Sequence, residues 1–130
     1  MGEINEKSKQ PDGFGVLVSS KKEGGWIHQG YFKDGVPTGS GIRFHALKES
    51  GKITMGVFSK GKAHGKCQII YADGHRFVGE MKNNGKSGKG CEVWENGEKY
   101  EGAFKANQRE GWGTYTKKDG GIYEGNWKAG

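Results

Sequence analysis

The residues of this chain whose chemistry could go beyond packing are four histidines, two cysteines, two recurrent carboxylates and a Gly-Lys-Ser run. His28, His45, His64 and His75 share no ligand spacing with each other or with Cys67 and Cys91. No metal site is therefore expected, and the histidines read as surface or groove residues. Cys67 and Cys91 are too few for the disulfide framework of a secreted domain. They read as reduced thiols on opposite sheet faces, in a cytosolic setting. Gly85-Lys86-Ser87 invites a phosphate-loop reading, but five residues separate Gly79 from Gly85 where that loop needs four. Each Gly-x-Gly, such as Gly88/Gly90 and Gly111/Gly113, lacks the third glycine of a dinucleotide fingerprint. Glu101 and Glu124 recur, but an acid and base pair wants one carboxyl in an apolar pocket, and nothing here supplies one. No cofactor and no catalytic group is expected, and the chain reads as non-enzymatic.

The lysines are more suggestive. Lys60, Lys62 and Lys66 surround one turn signal, and Lys82, Lys86 and Lys89 surround the next. A row of basic tips would attract acidic peptides or anionic lipid headgroups. It would equally serve solubility and discourage edge pairing. Both readings stand. Nucleic acid is not expected as a partner, because the aromatics are committed to packing and no RNA-binding signature is present.

The elements that hold these residues follow from an unusual composition. Of 130 residues only 32% are hydrophobic, 26 are glycine and 2 are proline, and the formal charge is +6. Such a chain would approach disorder were it not for fifteen Phe, Tyr and Trp residues, each of which buries a large area. No window is apolar enough for a membrane span, and residues 1–10 lack the core of a signal peptide. A soluble chain is expected.

The aromatics recur at a fixed step. Phe77, Tyr100 and Tyr123 lie 23 residues apart. Each is followed two places on by Gly79, Gly102 or Gly125, and two further on by Met81, Phe104 or Trp127. Units opening at His28 and Thr54 keep the phase without the leading aromatic. Alternate placement of aromatic, glycine and bulky residue is strand behaviour, since alternate side chains share one sheet face. A return segment marked by Gly39, Gly65, Gly88 and Gly111 completes a hairpin. Its tip carries Gly35, Gly61, Asn84, Asn107 or Gly130, residues suited to positive φ. Asp73-Gly74, Asn96-Gly97 and Asp119-Gly120 mark turns between units. The strand glycines are expected to leave slots for the aromatic ring of a neighbouring unit, so Tyr100→Ala should destabilise two units by roughly 3 to 5 kcal/mol.

The run YEGAFKANQREGWGTYTKKDG, residues 100–120, resembles the MORN repeat, the "membrane occupation and recognition nexus" motif. The resemblance covers about residues 12–130. Units fall near 26–51, 52–74, 75–97 and 98–120, with partial units near 12–25 and 121–130 and a polar tail over 1–11. It implies an all-β fold: a single elongated, twisted antiparallel sheet of stacked β-hairpins. It also implies a role in binding or scaffolding, with a ciliary or cytoskeletal assembly as the favoured setting. A protein partner is expected along a grooved aromatic face formed by Phe77, Trp94, Tyr100, Trp112, Tyr123 and Trp127. A strand over 122–128 is expected to be an open edge that pairs with another chain or end to end with a second copy. The alternatives are a peripheral membrane adaptor binding acidic phospholipids through the lysine-rich tips, and a regulatory fragment of an enzyme.

Overall fold

The computed structural model describes residues 3–5, 10–19, 25–45 and 51–128. The two longer links, over 20–24 and 46–50, and the tip residue Gly130 lie outside the described residues. Eleven strands form one sheet in sequence order, every neighbouring pair antiparallel. They are β1 (Glu3–Asn5), β2 (Gln10–Ser19), β3 (Trp26–Lys33), β4 (Val36–His45), β5 (Lys52–Ser59), β6 (Lys62–Tyr71), β7 (Arg76–Lys82), β8 (Gly85–Val93), β9 (Lys99–Lys105), β10 (Gln108–Thr116) and β11 (Ile122–Trp127). Strand pairing thus reaches back into the segment read as a tail, since β1 pairs with the start of β2.

Each hairpin turns through two residues of positive φ: Asp34-Gly35, Lys60-Gly61, Asn83-Asn84 and Ala106-Asn107. That is the tight hairpin turn whose twist matches the strands, and the residues named from sequence occupy its second place. The asparagines add a second bond. Asn107 Oδ1 accepts from the Lys86 amide at 2.9 Å while its own amide donates to the Lys86 carbonyl at 3.0 Å. Asn84 clamps Ala63 in the same way. Gly61 makes only the bond to the Pro37 carbonyl. Proline has no amide hydrogen, so an asparagine there would find no donor.

The return strands carry extra residues. Between Arg109 and Gly113 the register shifts against β9, with Gly111 at φ 95° in the bulge, a backbone that favours glycine. Beyond the bulge an unbroken row of partners crosses the sheet: Gly15, Gly30, Gly41, Gly56, Cys67, Gly79, Gly90, Gly102, Gly113 and Gly125. The opening side chains lie against it. A Cβ on Gly90 would fall 2.6 Å from the Phe77 ring, and one on Gly41 2.6 Å from the His28 ring. The rings therefore cover glycines of their own hairpin, not chiefly those of a neighbour as expected. Register explains this, because Tyr100 is two residues from Gly102, and Gly113 is directly opposite Gly102.

Neighbouring hairpins are joined ring to ring. The opening ring of one meets the bulky residue of the next: His28 with Phe58 at 4.5 Å, Phe77 with Phe104 at 5.3 Å, and Tyr100 with Trp127 at 5.5 Å, all edge to face. His28 thus fills the aromatic position and is completely buried, contrary to the surface or groove reading. At the Thr54 unit no ring opens the hairpin, and there the glycine row admits Cys67, whose sulfur occupies the freed space beside Gly56. Cys67 and Cys91 are both free thiols, on opposite faces as the alternation requires. Phe58, Ile69, Phe77, Met81, Tyr100 and Phe104 form a core on one face alone. We call that the packed face and the other the open face.

Candidate interaction surface

The packed face contains a row of cations set against the rings. Arg43 lies between Trp26, 4.1 Å from its centroid, and Phe58, at 4.8 Å. Its Nε donates to His28 Nδ1 at 3.3 Å. Arg43 Nη2 and His28 Nε2 have no hydrogen-bond partner among the described residues. Burial, reinforced by the Arg43 charge, holds the His28 imidazole down at about pKa 4. His45 is lowered to about 4 by burial and by the charges of Lys52 and Arg43. Further along, Lys86 Nζ contacts Glu92 Oε2 at 3.1 Å and faces the Tyr71 and Phe77 rings.

The last cation, Arg109, is only half-buried. Its guanidinium lies 5.1 to 5.6 Å from the centroids of Trp94, Tyr100, Tyr115 and Trp127. Above it runs a ladder of five half-buried rings. Tyr71 stacks on His75 at 3.9 Å, and His75 on Trp94 at 5.8 Å. Trp94 meets Tyr115 at 6.1 Å, and Tyr115 meets Trp127 at 6.0 Å. The turns between units position it: Asp73 Oδ1 lies 2.7 Å from His75 Nδ1, and Trp127 Nε1 donates to the Gly113 carbonyl at 3.3 Å. A hydrogen bond from Asn96 Nδ2 at 2.9 Å, and then one shared with Tyr115, hold the Glu98 carboxyl below its usual range.

The open face is shallower. Val78, Lys89, Cys91, Glu101, Ala103 and Trp112 line a trough of about 700 Å³, and a second of about 320 Å³ lies between Phe14, Tyr31, Ile42 and Val57. Burial raises the pKa of both cysteines. Among the described residues no group of three His, Cys, Asp or Glu could hold a metal ion, and no helix is long and apolar enough to cross a membrane.

A family model described as the MORN repeat matches residues 28–44, 55–76, 77–99 and 100–122, more than half of the chain. The chain belongs to the MORN-repeat family. No curated protein matches it. MORN repeats generally take part in protein or membrane interactions.

Within this MORN array the residues expected to form one groove divide between two faces. Phe77 and Tyr100 are 0% exposed. They hold the repeats together and leave no surface for a partner. Trp94 and Trp127 stand in the ladder. Tyr123, on the packed face against Trp127, is half exposed. Trp112 faces the opposite way, in the open-face trough.

Lys60, Lys62, Lys66, Lys82 and Lys89 are exposed, whereas Lys86 is buried against Glu92 and belongs to the core rather than to a tip. The alternation already distinguishes them, since Lys86 shares its phase with Gly90 and Glu92 on the packed face. The same phase marks Arg109, 23 residues later, which sequence reasoning missed together with Tyr71, His75 and Tyr115 as ladder members.

Proposed function

We propose that this MORN array is a non-catalytic scaffold that binds a protein segment across the packed face of its C-terminal half. The observation carrying this reading is the ladder of Tyr71, His75, Trp94, Tyr115 and Trp127 with Arg109 beneath it. Rings with one face packed and another open, and a cation held among them, offer apolar area and directed polarity at low entropic cost. Such sites favour hot-spot binding. A cytoplasmic ciliary or cytoskeletal assembly is the setting we favour, on the family resemblance alone. The test is affinity capture with wild type, Trp94→Ala and Trp112→Ala proteins of matched thermal stability. Loss of the captured protein with Trp94→Ala and its retention with Trp112→Ala is expected. Equal capture by all three would refute the placement.

The exposed Lys60, Lys62, Lys82 and Lys89 favour a second reading, attraction to acidic phospholipid headgroups. Vesicle binding that disappears when these four are reversed in charge supports it, and absence of binding at low salt removes it.

A further inference from the structure

The open face is divided in a way that packing within the chain does not explain. On β2–β5 its central positions hold Phe14, Val16, Ile27, Tyr31, Phe44 and Val57, each between 41% and 53% exposed. Register places these side chains on one continuous surface, with Phe14 opposite Tyr31 and Phe44 beside Ile27. The polar side chains between them, Gln29 and Ser40, are uncharged. From β6 onward the same face mixes charged with apolar side chains, with Lys66, Arg76, Glu80, Lys89 and Glu101 set among Val78, Val93 and Trp112.

With about half of each of the six side chains exposed, and Val18 at the margin, the patch presents roughly 500 Å² of apolar surface at ~150 Å² per side chain. That is towards the upper end of the range for the largest apolar patch of a typical monomer, a patch that is often functional. It also approaches the ~800 Å² per partner of a stable interface once a polar rim is added.

We infer that this patch is the contact surface of a homodimer, in which a second copy of the chain packs its own open face against it. An apolar, uncharged sheet surface is complemented by another of the same kind, and two such faces pack about 10 Å apart with strands nearly aligned. A two-fold axis along the strands, through the patch, turns the second copy end for end. The two C-terminal halves then extend in opposite directions and do not face each other, so the charged side chains of that half stay outside the contact. The packed face and its ring ladder stay outside the interface, and the inference stands independently of the partner reading.

The experiment is sedimentation equilibrium of the 130-residue chain across the micromolar range, for wild type and for the Tyr31→Glu, Phe44→Glu pair. A wild type mass near twice the 14.2 kDa of the chain is expected, falling to 14.2 kDa in the variant. A wild type mass of 14.2 kDa throughout overturns the inference, as does a dimer that the substitutions leave intact. If circular dichroism shows the Glu pair unfolded, the Tyr31→Thr, Phe44→Thr pair is read instead. Threonine suits strands, and at least tenfold weaker association is then expected, with unchanged association overturning the inference. Wild type that is monomeric but co-sediments with mixed neutral and anionic vesicles assigns the patch to a membrane and also overturns it.

Discussion

Replacing Gly102 by alanine tests the glycine row directly. A Cβ at this position would fall 2.5 Å from Gly113 Cα, 2.6 Å from the Trp112 carbonyl oxygen and 2.8 Å from the Tyr100 hydroxyl. Two of the three obstacles are backbone and cannot rotate away. The third belongs to a ring that is 0% exposed and whose hydroxyl donates to the Ala103 carbonyl at 2.9 Å. Relief therefore requires β9 and β10 to separate at their central pair, or Tyr100 to lose its hydrogen bond. Overpacking a tight interior costs about 1 to 3 kcal/mol, and losing a hydrogen bond adds about 1 kcal/mol. Alanine returns only about 0.5 to 1 kcal/mol through reduced unfolded-state entropy. A net loss of roughly 1 to 3.5 kcal/mol is expected on those values. Urea denaturation followed by tryptophan fluorescence measures it. Gly97→Ala is the control, since a Cβ there meets nothing within 4 Å and only its φ of 93° is strained, a loss of about 1 kcal/mol. A Gly102→Ala protein as stable as wild type would refute the close approach of the strands.

Three other outcomes follow from the same structure. Asn107→Ala loses the bond to the Lys86 amide and strains a backbone at φ 72°, whereas Asn107→Gly loses only the bond. The two should fall by about 2 and about 1 kcal/mol in chemical denaturation. Stability should also decline as pH falls from 6.5 towards 4. The His28 imidazole is held down at about 4, so the unfolded chain takes up a proton first. A His28→Gln protein should show a shallower decline over that window in thermal melts at successive pH values. Lys60→Ala, at an exposed tip, should change stability by less than about 0.5 kcal/mol.

Much of the fold is legible in the sequence because each repeat position meets a local demand. Asn84, Asn107 and the Asp-Gly and Asn-Gly links are needed for turn geometry, and the alternation of Tyr100, Gly102 and Phe104 for a strand with one packed face. Other features depend on partners about one repeat away. The clamp from Asn107 to Lys86 spans 21 residues, and nothing in its own turn announces it. His28 is buried because Phe32 and Phe58 surround it, while its spacing alone suggested a solvated imidazole. The candidate site was half visible. Trp94 and Trp127, expected in one groove with Trp112, stand in the ladder on the packed face, whereas Trp112 does not. Trp112 is on the open face, three residues from Arg109 in sequence and on the opposite side of the sheet.

Lys86 and Glu92 show how the repeats can differ while the fold stays the same. The bulge glycines Gly39, Gly65, Gly88 and Gly111 are each preceded by two places, and followed by four, by a pair of packed-face residues: Pro37 and Arg43, Ala63 and Ile69, Lys86 and Glu92, Arg109 and Tyr115. The third pair is an ion pair with side chains 11% and 8% exposed, while the second is apolar and lies in the same core. Charge is therefore not a requirement of the position. Lys86→Met alone should leave Glu92 without its lysine and cost about 3 kcal/mol, and Glu92→Leu alone should cost a similar amount. Lys86→Met with Glu92→Leu removes both charges at similar volume, and should return stability to within about 1 kcal/mol of wild type or above it. Denaturation of the four proteins as a double-mutant cycle measures the coupling. Losses that simply add would show that the two side chains act separately, and that the ion pair does not fill this repeat in the way Ala63 and Ile69 fill the one before it.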